Sequence, residues 1–122
     1  MDKATFDYVA ARADILANAP SAKQETKDAA VAWKAAVSKD NTAAGVQTAT
    51  EDFLNFLEGR PSTIDNAIAF FSGPAKEAFG EEVAAKKLAE EQARKAAGAK
   101  FCGCDACTAA SEILAKFGRV EL

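Results

Sequence analysis

Apolar residues recur three and four positions apart along almost all of this chain, and proline, glycine and short polar turns cut the recurrence into helix-length pieces. A chain patterned this way folds as packed α-helices, because each piece carries one apolar stripe that must be buried. Alanine fills much of every stripe, and it is the residue that loses least on entering a helix. Eight phenylalanines, one tryptophan and one tyrosine must then supply most of the core bulk. With 122 residues there is enough chain for one modest core. The expected architecture is all-α: a single helical domain over 1–122, built as an antiparallel bundle of about four main helices plus one or two short ones.

The breaks place the helices. The stripe of Phe6, Val9, Ala13 and Leu16 predicts a first helix over about 3–18, stopped by Pro20. Ser21, with Gln24 three residues on, reads as the N-cap of a second helix whose large knob is Trp33. A third runs from the turn at 39–42 to about Glu58, with Gly59 and Pro61 as its exit signal. Ser62 opens a capping box onto a short helix that faces Ile64, Ala67, Ile68 and Phe71 inward. A charged, alanine-rich helix follows over about 75–98, with an irregularity at Gly80 and a weak stripe of Val83, Ala84 and Leu88, so loose docking is expected of it. Asp105 reads as the N-cap of a last helix ending near Phe117.

All the chemistry of note sits in one loop, 100–108, before that last helix. Its sequence KFCGCDACT contains every cysteine of the chain, Cys102, Cys104 and Cys107, and the chain has no histidine. Thiolates bind soft or borderline ions such as Zn(II), Cu(I) and iron–sulfur clusters. Gly103 gives the backbone freedom for a tight turn, and the positive end of the last helix favours thiolate at Cys107. Lys100 adds a positive neighbour. A closed structural zinc site takes four ligands, whereas this loop offers three sulfurs and the carboxylate of Asp105. The options are a trigonal S₃ centre for Cu(I) or a metalloid, zinc or a cluster with an external ligand, or a site completed between two chains.

The segment CGCDACTA, Cys102–Ala109, resembles a local motif of ArsR/SmtB-family metalloregulators, whose arsenite-sensing members carry C-x-C-D-x-C-T-A at the entry to a helix. The resemblance implies ligation of an As(III)-like ion by Cys102, Cys104 and Cys107. It spans about eight residues and carries thiolate chemistry, not the DNA binding or the fold of that family.

Charge and composition exclude several classes. The net charge is −3, made up of −2 before Pro61 (seven basic, nine acidic) and −1 from there on (eight basic, nine acidic). Neither half holds a basic block, so nucleic acid and anionic membrane surfaces are not expected partners. No apolar run is long enough to span a bilayer and the first residues lack a signal-peptide layout, which makes a reduced, cytoplasmic setting the expectation. Without histidine there is no Ser-His-Asp or Cys-His catalysis and no Glu-x-x-His di-iron site. The expected role is therefore binding, sensing, storage or delivery of an ion rather than catalysis.

Two alternatives stand beside it. One is thiol–disulfide redox chemistry through Cys104 and Cys107; the other is a helical interaction module, a homodimer, with incidental cysteines. The glutamate pairs Glu81/Glu82 and Glu90/Glu91 read as a solvated face, with Glu90–Arg94 and Glu91–Lys95 as supporting pairs. The aromatics Phe53, Phe56, Phe70, Phe71 and Phe79 read as core or as a cavity lining, and exposure of Phe70 or Phe79 would favour a dimer interface instead.

Overall fold

A computed structural model describes residues 1–122. It is all-helical: α1 Lys3–Asn18, α2 Gln24–Lys39, α3 Ala43–Leu57, α4 Ile64–Ser72, α5 Ala75–Phe79, α6 Glu81–Ala96 and α7 Asp105–Lys116. No strand forms beyond one antiparallel bridge between Thr63 and Phe101. No helix is long and apolar enough to cross a membrane.

The helices belong to two compact units. The first comprises Met1–Pro61 with Cys104–Glu121 and holds α1, α2, α3 and α7. Here α1 packs on α2 and α7, and α3 packs on the same two helices. The stripe predicted for α1 is buried at Val9, Ala13 and Leu16, as is the knob Trp33 of α2, and they share one core with Val37 from α2, Phe53 and Leu57 from α3, and Ile113 and Leu114 from α7. Each large aliphatic side chain taken fully out of water contributes about 1.5–3 kcal/mol. Trp33 anchors the α2–α3 contact, stacking on Phe53 with ring centroids 6.0 Å apart and donating its indole N–H to Thr50 Oγ1 at 3.0 Å. Asp2 caps α1 by accepting the Thr5 N–H, and Thr42 caps α3 by accepting the Gly45 N–H.

The second unit, Ser62–Gly103 with Leu122, holds α4, α5 and α6, and α6 packs on both of the others. The cap of α4 is Thr63, accepting the Asn66 N–H, rather than Ser62. The predicted helix over 75–98 is two helices. Gly80 takes φ +85°, a left-handed backbone that no α-helix passes through, and so divides α5 from α6. Ile64, Ala67, Ala75 and Ala84 are buried, whereas Val83, expected on the inner stripe, is 45% exposed. Phe70 and Phe79 are also exposed, at 41% and 51%, and meet edge to face with centroids 6.2 Å apart.

The bridge at Thr63 fixes where the cysteine loop begins. Ile64 N–H donates to the Lys100 carbonyl at 2.9 Å, and Cys102 N–H donates to the Ser62 carbonyl at 2.8 Å. Residues 100–102 thus enter the loop as a short extended segment paired along its edge.

Candidate metal centre

Cys102, Cys104 and Cys107 come together: their three Sγ atoms all lie within 4.8 Å of one another. None is in a disulfide; Cys102 is buried, and Cys104 and Cys107 are half-buried. The group of close donor atoms consists of these sulfurs alone. Asp105, weighed as a fourth ligand, is exposed and is not one of them.

Local hydrogen bonding explains the convergence, and it differs from the expected arrangement. The N-cap of α7 is Cys104, not Asp105. Cys104 has extended backbone angles, φ −64° and ψ 157°, and its Sγ accepts the Cys107 N–H at 3.3 Å. Asp105 is then the first helical residue, an acidic group in a first turn where the helix dipole favours it. One cap interaction therefore sets the Cys104 sulfur over the turn that carries Cys107.

A second first-turn amide of α7 is satisfied from far along the chain. Ser21 does not cap α2, whose N-cap is Lys23 with no side-chain bond. Its hydroxyl instead accepts the Ala106 N–H at 3.2 Å. The α7 amides of Ala106 and Cys107 thus both have acceptors, which fixes the orientation of the turn.

Within the second unit the residues that grip the start of the loop come from α6, and Glu91 is not on the solvated face expected of it. Glu91 is 5% exposed, not solvated, and its two oxygens stand 3.0 and 3.3 Å from the Gly103 nitrogen, whose N–H they accept. Its ionic partner is Arg94 at 3.6 Å rather than Lys95, which pairs with Asp65. Arg94 also donates from Nη1 to the Phe101 carbonyl at 2.7 Å. A buried carboxylate persists only when hydrogen-bonded and paired, and Glu91 is both. The signal for it was in the sequence: Ala84, Leu88 and Glu91 share one helix face, so a carboxylate stands on the apolar stripe.

Gly103 is needed for space rather than for backbone freedom, since its φ is not in the left-handed region. A Cβ there would lie 2.8 Å from Glu91 Oε1 and 2.9 Å from the Arg94 guanidinium. An alanine there would push these two side-chain ends aside, so glycine lets both close on the loop.

Of the aromatics read as core or cavity lining, Phe53 and Phe56 belong to the first unit. With Trp33 and the alanines of α2 they border an open, mostly apolar groove of about 240 Å³. Phe70, Phe71 and Phe79 belong to the second unit and form a partly exposed cluster.

Three soft donors without a fourth side-chain ligand make an S₃ site, able to hold a thiophilic ion at a three-coordinate centre or with an added external ligand. No protein-family model, no curated protein and no solved structure matches the chain, so the three sulfurs and their surroundings carry the functional reading.

Proposed function

We propose that the protein binds a thiophilic metal or metalloid ion through the thiolates of Cys102, Cys104 and Cys107, for sensing, storage or delivery rather than catalysis. The observation that carries this is the mutual approach of the three sulfurs to within 4.8 Å. Three sulfurs about 2.3 Å from a common centre in one plane are about 4.0 Å apart, so closing on an ion takes a movement of less than about 1 Å. The backbone that carries the sulfurs is already hydrogen-bonded at Cys102, Gly103, Ala106 and Cys107.

Three donors suit Cu(I) or an As(III)-like ion, while Zn(II) requires an external fourth ligand or one from a second chain. A trivalent ion on three thiolates forms a neutral complex, which suits a half-buried position better than a residual charge does. A reducing, cytoplasmic setting is part of the proposal, because the sulfurs ligate only as thiolates. We further read α1, α2, α3 and α7 as an antiparallel four-helix bundle, a reading supported by their pairwise packing and by the short α1–α2 and α2–α3 connections.

The test is anaerobic titration of the reduced protein with Cu(I), Zn(II) and As(III), following sulfur-to-metal absorption. One equivalent is expected to bind, and replacing any one of the cysteines by serine is expected to abolish tight binding. If no ion binds while a Cys104–Cys107 disulfide forms with a defined potential, the redox reading replaces this one.

A second reading, a self-associating helical module, is favoured by one observation: Phe70, Phe79 and Val83 are large apolar side chains exposed on the same three-helix unit. Sedimentation across a concentration series tests it. A dimer disrupted by Phe79→Glu supports it, and a monomer at all concentrations overturns it.

A further inference from the structure

We propose that Glu91 is a positioning residue of the cysteine site. Its buried carboxylate fixes the backbone between Cys102 and Cys104 and so sets their sulfurs in converging positions before any ion arrives. This rests on the ion-binding reading above and names the residue outside the sulfur cluster on which that site's affinity depends.

Three observations carry it. Glu91 is 5% exposed, and its two oxygens accept the N–H of a loop amide, Gly103, at 3.0 and 3.3 Å. Arg94, one turn on, neutralises it at 3.6 Å and holds the Phe101 carbonyl at 2.7 Å. Neighbouring turns of α6 therefore grip the backbone on each side of Cys102. Finally, a Cβ on Gly103 would run into this same carboxylate and guanidinium. Glycine at 103 leaves the room that both side chains use.

Glu91 is not one of the close donor atoms, so it acts through the backbone and not as a ligand. Groups of this kind hold ligands in the geometry that the ion needs, and losing one costs about 10- to 100-fold in metal affinity. The charge on Glu91 also ties it to Arg94, so the grip on Phe101 and the grip on Gly103 form one unit.

The test uses the full chain, reduced and anaerobic, titrated with Cd(II) alone and read by sulfur-to-cadmium absorption. Glu91→Ala is expected to bind about 10- to 100-fold more weakly with unchanged stoichiometry. Glu91→Gln keeps an oxygen for the Gly103 N–H and is expected to recover most of that loss. Gly103→Ala, which displaces the ends of Glu91 and Arg94, is expected to weaken binding less than Glu91→Ala does, and the double variant to lose less than the sum of the two. Far-ultraviolet circular dichroism checks that the helices persist; if Glu91→Ala unfolds, Glu91→Gln and Gly103→Ala make the same comparison.

Hydrogen exchange of the Gly103 amide reads the contact without any ion. It is expected to be slow in wild type and in Glu91→Gln, and fast in Glu91→Ala. Cd(II) affinity of Glu91→Ala within about twofold of wild type overturns the proposal. So does Glu91→Gln binding as weakly as Glu91→Ala, or a Gly103 amide indifferent to Glu91. A wild type that takes up no Cd(II), with exchange that still follows Glu91, overturns the ion-binding reading and leaves Glu91 as the residue that positions the thiols.

Discussion

The backbone N–H of Cys107 donates to the sulfur of Cys104 across 3.3 Å, making a cysteine both the N-cap of α7 and one corner of the sulfur cluster. The two roles separate by substitution. Cys104→Ser keeps a capping oxygen and is expected to match wild-type stability, whereas Cys104→Ala is expected to lose about 0.5–1 kcal/mol. Both are expected to lose tight ion binding. Chemical denaturation beside an ion titration checks the pair, and equal stability of the two variants would remove the cap from the account.

The α2–α3 contact depends on a buried polar pair, Trp33 Nε1 and Thr50 Oγ1, 3.0 Å apart. Trp33 is 2% exposed and Thr50 3%, so an indole N–H deprived of its acceptor has no water to turn to. Thr50→Val, which keeps the shape, is expected to cost about 1–3 kcal/mol. Thr50→Ser is expected to retain the bond and lose less. Urea unfolding followed by tryptophan fluorescence measures both.

Asp2 gives α1 a pH-dependent start. Hydrogen bonds from Thr5, its side chain first and then its backbone N–H, hold the Asp2 carboxyl below its ordinary value. A lowered native pKa means that the stabilisation is fully present above the unfolded value and is lost as pH falls through the native one. Asp2→Ala is therefore expected to lower Tm by a few degrees near neutral pH, with the gap to wild type closing in strong acid. Thermal melts at several pH values check this; a gap that widens on acidification has the wrong sign for the account.

What could be read from the sequence follows range. The inward faces of α1 and α2 were legible because a helix repeats its face every few residues, and Phe6, Leu16 and Trp33 stand on those repeats. That the cysteines are neighbours in sequence was legible, but an extended chain would still hold Cys102 and Cys107 about 17 Å apart, and it is the turn into α7 that brings the sulfurs together. The residues that hold the loop were not. Ser21 looked like a cap for the helix beside it, yet its partner is Ala106, 85 positions away. Glu91 looked like one of many surface glutamates; its place on the face of Ala84 and Leu88 was legible, but its partner, the Gly103 N–H 12 positions on, was not. The cap of α7 was misplaced by one residue because aspartate is the usual capping residue, whereas here the Cys104 sulfur accepts the Cys107 N–H.

The central claim is that Cys102, Cys104 and Cys107 bind one ion together. X-ray absorption at the metal edge of the protein loaded anaerobically with one equivalent of As(III) counts the neighbours of that ion directly. The account predicts a first shell of three sulfurs and nothing else, falling to a mixed sulfur–oxygen shell in Cys102→Ser. A wild-type shell with fewer than three sulfurs, or one unchanged by Cys102→Ser, would contradict it.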